Sequence, residues 1–120
     1  MNTEQLKQAA MAATPGPWLY ETSKRPGSAG NYQLILSEDE NSVAECYGTD
    51  HEDAANGRYI AAANPAVILA LLECVDALRL YKNWCDAEKD HGGTSFWDRV
   101  EMCREAESAT DAALQKLEAL

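Results

Sequence analysis

Basic side chains are scarce in this chain: ten lysines and arginines stand against twenty aspartates and glutamates, a formal net charge of -10 over 120 residues. Phosphate backbones repel such a surface, so direct binding of nucleic acid is disfavoured. A partner with a basic surface is the natural complement, including a surface that itself handles nucleic acid. Metal-binding spacings are missing too. The four cysteines, at 46, 74, 85 and 103, form no C-x-x-C, and the two histidines, His51 and His91, are far apart. Isolated cysteines of this kind behave as small buried hydrophobes, so free thiols and no metal are expected. No Gly-x-Ser-x-Gly, Walker loop or GxGxxG occurs. The glycines of "PGSAG" at 26–30 lack the strand-to-helix context that would cradle a phosphate. No residue set specifies a reaction, so neither an enzyme nor a cofactor is expected. The N-terminal "MNTEQLKQAA" has no basic region leading into an apolar run, and the apolar stretch from Pro65 to Leu72 is too short to span a bilayer. A cytoplasmic protein without membrane contact is the expectation.

What is present reads as one α+β domain over 1–120, with a first helix and β-meander in 1–49 and a helical part in 50–120. Asn2 or Thr3 can cap a first helix, with Gln5 placed to close a capping box on Asn2. That helix must end before Pro15, and "TPGPW" at 14–18 makes a rigid turn. Three stretches then alternate with period two: 18–22, 32–37 and 42–47. They predict a small antiparallel three-stranded sheet packed against helices, with "SEDEN" as a hairpin loop. In the second strand Tyr32, Leu34 and Leu36 share one face, and Gln33 and Ile35 the other.

From Asp50 the period becomes helical, with Thr49 and Glu52 as a second capping box and Gly57 as a weak point inside the helix. Asn64-Pro65 interrupts an otherwise continuous apolar pattern. Asn is a strong cap and Pro suits the first helical position, so one helix ends there and another begins. The second helix carries Val67, Leu71, Cys74, Leu78, Tyr81 and Cys85 at steps of four and three. "DHGGTS" at 90–95 stops it, and Ser95 with Asp98 caps the last helix. The last two helices form an antiparallel hairpin. Their stripes serve either packing within the chain or a homodimer through the C-terminal helices.

Seven acidic residues and no basic one fall between 38 and 57: Glu38, Asp39, Glu40, Glu45, Asp50, Glu52 and Asp53. They are either a solvated loop with an acidic helix start, which the helix dipole prefers, or a face for a basic partner. A cation held by His51 with Asp50, Glu52 and Asp53 is not expected, because neighbouring side chains at a helix start diverge.

Two strings carry a resemblance. "LKQAAMAATPGPW", Leu6 to Trp18, and "YIAAANPAVILALL", Tyr59 to Leu72, are similar to the two hallmarks of the Ead-like proteins, accessory proteins of the early regions of temperate bacteriophages. Tyr59 stands where phenylalanine is common, and Cys74, Cys85 and the tail from His91 lie outside the resemblance. The resemblance implies a phage or prophage gene expressed in bacterial cytoplasm and dispensable for growth. It implies no molecular activity. With the acidic charge it leads to a non-enzymatic protein that binds and inhibits a host nucleic-acid-handling or defence machine, such as a CRISPR effector or restriction enzyme. Two alternatives stand beside it. One is a binder that sequesters a nucleotide signal through Lys24, Arg25 and Arg58. The other is a structural or regulatory phage protein with homodimerising helices.

Overall fold

A computed structural model describes residues 1–24, 31–46, 50–90 and 93–120, with the side chains of Lys24, Asn31 and Asp50 left out. The elements run α1 (Thr3–Ala12), β1 (Leu19–Lys24), β2 (Asn31–Leu36), β3 (Ser42–Cys46), α2 (Asp50–Ala62), α3 (Pro65–Lys89) and α4 (Phe96–Glu118). This is the expected α+β chain with its meander and C-terminal hairpin. The chain divides into two compact units, Met1–Ile68 and Leu69–Leu120. The sheet and α2 therefore belong together, and the division falls inside α3 after its first turn.

In the first unit, α1 starts on the predicted capping box. Asn2 Oδ1 accepts from the Gln5 amide at 2.8 Å, and Gln5 Oε1 accepts from the Asn2 amide at 3.0 Å. The turn that follows contains a cis Gly16–Pro17 peptide. Trp18 closes it by donating its indole N–H to the Thr14 carbonyl at 2.9 Å.

The three strands pair antiparallel in the order β1-β2-β3. Tyr20 faces Ile35 and Thr22 faces Gln33, while Gln33 faces Cys46 and Ile35 faces Ala44. A register shift at Ile35/Leu36 then brings Ser42 opposite Leu36. Gln33, Ile35 and Ser37 are buried, and Tyr32, Leu34 and Leu36 are only half-buried. The covered face is thus the one carrying a glutamine and a serine, not the one carrying two leucines. Ile35, Cys46 and Ala61 form the core, packed by Trp18, Tyr20, Val43, Ala44 and Ile60. Burying Ile35 completely contributes about 2–3 kcal/mol.

The glutamine is tolerated because its oxygen is satisfied. Tyr20 Oη and Thr22 Oγ1 both donate to Gln33 Oε1, the latter at 2.8 Å. Helix α2 lies over this face, and Gly57 makes the approach close. A Cβ at Gly57 would sit 2.8 Å from Tyr20 Cε2 and 3.3 Å from Gln33 Cβ. The glycine that weakens the helix on propensity grounds is therefore what seats it on the sheet.

Asn64 caps α3 as expected, its Oδ1 accepting from the Ala66 and Val67 amides at 3.1 and 3.4 Å. Its Nδ2 also donates to the Ala61 carbonyl at 3.2 Å, which ties the end of α2 to the start of α3. The cap predicted for α2, Thr49, lies outside the described residues.

In the second unit, Ser95 Oγ accepts from the Asp98 amide at 3.1 Å and starts α4. Arg99–Glu88 at 3.1 Å and Lys116–Glu73 at 2.5 Å bridge α3 and α4 as antiparallel neighbours. Between these two pairs the register sets Leu78 beside Thr110 and Lys82 beside Ala106. In this unit Ala70, Leu72 and Ala77 of α3 and Ala106 and Ala113 of α4 are buried, and the two alanines of each helix stand one heptad apart. Alanine lets the two backbones approach closely. Leu71, Leu78 and Cys85, expected on the buried stripe, are exposed instead, while Cys74 and Tyr81 from the same stripe are half-buried.

Candidate partner-binding face

The acidic window does not form one surface. Glu38, Asp39 and Glu40 make the β2–β3 turn, where the Ser37 amide donates to the Asn41 carbonyl at 2.8 Å and the Glu40 amide to the Ser37 carbonyl at 2.9 Å. All three side chains are exposed. Glu40 is left-handed, with φ 61°, at the turn position glycine or asparagine normally takes. Glu45 is exposed on β3 and faces Leu34 across the strand pair, on the sheet face opposite α2. Glu52 is exposed but belongs to α2, which lies on the other side of the sheet. Asp53 is 2 % exposed and its Oδ1 has no hydrogen-bond partner among the described residues. It is a core residue and drops out of the expected face. The side chain of Asp50 lies outside the described residues.

What the structure brings together is the turn and the sheet face opposite α2. Leu19, Leu34 and Leu36 with Glu21 and Glu40 line a shallow open hollow of about 730 Å³. Leu19 faces Leu36 and Glu21 faces Leu34 across the β1–β2 pair. Leu19 is 51 % exposed, well beyond what a core leucine shows. The arrangement is an apolar centre with carboxylates at its edge, which is the anatomy of a protein-binding patch. Of these residues, only Glu40 is expected from sequence at a partner-binding face; Leu34 and Leu36 are expected only to share one face of β2. Period two alone does not say which face of β2 a helix will cover.

The features that would support other chemistry are placed differently. Arg58 lies over the Tyr20 ring, its guanidinium carbon 5.3 Å from the centroid. It is engaged in a cation–π contact rather than gathered into a cationic pocket. Arg25 lies outside the described residues. All four cysteines are free, and among the described residues no group of three histidines, cysteines or carboxylates is placed to hold a metal ion. Among the same residues no single helix is long and apolar enough to cross a membrane.

The hallmark strings pack together in the fold. "TPGPW" and "YIAAANP" meet where Gly16 packs against Asn64, and Trp18 from the first string and Ile60 and Ala61 from the second enter one core. In comparison with family models, residues 1–120 match the one described as Ead/Ea22-like protein, so the match includes the tail beyond His91. No curated protein and no solved structure matches the chain.

Proposed function

Because the chain belongs to the Ead/Ea22-like family and is thereby a phage-associated early-region accessory protein, we propose that it acts without catalysis, by docking the face of its sheet opposite α2 on a basic protein surface of the bacterial host. The host protein handles nucleic acid or belongs to a defence complex, such as a CRISPR effector or restriction enzyme, and docking inhibits it. One observation supports this above the others: an exposed apolar hollow at Leu19, Leu34 and Leu36 shares its face and rim with Glu21 and Glu40. The leucines supply burial on docking. The carboxylates, with the rest of a -10 chain behind them, steer encounter with a cationic partner.

Two bait proteins test the proposal against host lysate: the wild type and a Leu19→Ser/Glu40→Lys variant. Both changes are at exposed positions, so the fold is expected to survive, and circular dichroism checks it. A basic protein retained by the wild type, lost on the variant and displaced by added DNA is the expected result. Identical retention on both baits, or indifference to DNA, rejects the face.

A further inference from the structure

The second unit carries a different apolar surface. Along α3 and α4 a groove of about 260 Å³ is lined by Cys74, Leu78 and Tyr81 on one side and Thr110, Ala113 and Leu114 on the other. Leu78 is 66 % exposed, Leu114 45 % and Leu71, one heptad before Leu78, 44 %. Three leucines in line on one side of a helical hairpin are not explained by packing within it, where the alanines already fill the seam.

The charges beside the groove indicate what covers it. On α3 Leu78 is followed at i+4 by Lys82, which lies on its side of the helix and pairs along the helix with Asp86 at 2.7 Å. On α4 Glu107 stands one heptad before Leu114. Both Lys82 and Glu107 are exposed. Because the helices are antiparallel, Lys82 and Glu107 lie at nearly the same level. Now consider a second hairpin laid groove to groove by a two-fold axis parallel to the helices. Each residue keeps its level, and α3 of one copy meets α4 of the other. Lys82 then faces Glu107 of the second copy, twice over by symmetry. With the two-fold axis across the helices, α3 meets α3 and α4 meets α4, and this match is lost.

We propose that a second copy of this chain occupies the groove, making a four-helix bundle whose two-fold axis runs parallel to the helices. A face two helices wide, about 20 Å, and about 35 Å long offers about 700 Å² per copy. That is close to the about 800 Å² per side of a standard stable interface. The bundle buries Leu71, Leu78 and Leu114 of both copies. It uses none of the residues of the sheet face, so its failure leaves the proposed docking face standing, and the reverse.

The test is the solution mass of the full chain by sedimentation, with variants. The wild type is expected at twice the 13.1 kDa of one chain, and Leu78→Lys at one chain with its helical circular dichroism retained. Lys82→Glu and Glu107→Lys, each alone, should weaken dimerisation by about fivefold or more, since each introduces two like-charge contacts. The Lys82→Glu/Glu107→Lys double variant should return to the wild-type dissociation constant. Because these two positions are exposed, the charge swap carries the test even if Leu78→Lys unfolds. A wild type that stays monomeric at every concentration overturns the proposal. So does a dimer indifferent to the single reversals or not restored by the double one.

Discussion

Gly16 lies against Asn64 so closely that a Cβ on the glycine would stand 2.6 Å from the asparagine Oδ1 and 2.9 Å from its Cγ. That Oδ1 is the atom that caps α3. The turn after α1 and the junction between α2 and α3 are thereby one structural joint, built from both hallmark strings. A glycine is needed at 16 for space.

Gly16→Ala is expected to destabilise the protein by about 2 kcal/mol, in the range of overpacking a tight site. Asn64→Ala should cost about 1–2 kcal/mol, for the cap and for the tie to Ala61. Chemical denaturation of the double variant should show a loss smaller than the sum by at least about 0.5 kcal/mol, because removing the amide group relieves the worst of the clash. Strict additivity would mean that the two residues do not touch.

Gly57→Ala pits two effects against each other. Helix propensity alone favours alanine by about 1 kcal/mol. The new methyl, however, would meet the Tyr20 ring at 2.8 Å, and that ring is held by its hydrogen bond to Gln33. The clash is expected to win, with net destabilisation of about 1–2 kcal/mol. A stabilised variant in thermal or denaturant unfolding would show that α2 does not seat on the sheet through this glycine.

Much of the architecture was legible because it is written in local hydrogen-bond chemistry. Asn2 with Gln5, Asn64 before Pro65, and Ser95 with Asp98 each announce a helix start, and each forms the predicted bonds. What was not legible depends on residues far apart in the chain. The pattern of β2 offers two faces, and its apolar weight favours Tyr32, Leu34 and Leu36. The covered face is chosen by Tyr20 and Thr22 of another strand, which satisfy Gln33. In α3, hydrophobicity points to Leu71 and Leu78, but close approach to α4 selects Ala70 and Ala77 at the same heptad period. Asp53 looked like one more member of an acidic surface because charge density along the chain carries no information on burial. Of the candidate site, the turn carboxylates were visible in the sequence, while Leu19, Glu21 and Leu34 were brought to them only by strand register.

Glu40→Gly is expected to stabilise the fold by about 0.5–1 kcal/mol, because glycine adopts the left-handed conformation at position 40 without the side-chain penalty. The same change removes a carboxylate from the rim of the hollow and should weaken binding of the host protein. A destabilised variant in denaturant titration would contradict the turn geometry. A stabilised variant with unaltered binding would remove Glu40 from the docking face.

The Cys103 thiol is pushed above its ordinary pKa, by partial burial first and then by the neighbouring carboxylate of Glu107. The thiolate is the negative form, so both effects favour the protonated thiol. Alkylation of Cys103 near pH 8.5 should therefore be slow. Glu107→Gln should move the pH profile of Cys103 alkylation to lower pH and speed its reaction. An unchanged profile, followed by mass spectrometry of the labelled peptides, would mean that the carboxylate does not face the thiol.

The most direct test of docking through the sheet face is the association rate of the captured host protein, measured by stopped flow for the wild type and for a Glu21→Lys/Glu40→Lys variant across a salt series. Exposed charges are screened within a Debye length of about 10 Å at 0.1 M salt, shrinking to about 3 Å at 1 M. The expected result is an association rate for the wild type that falls by about tenfold or more over that range. The variant should start slower and depend less on salt, and the dissociation rates of the two should differ little. Equal association rates for the two proteins, unaffected by salt, would contradict it.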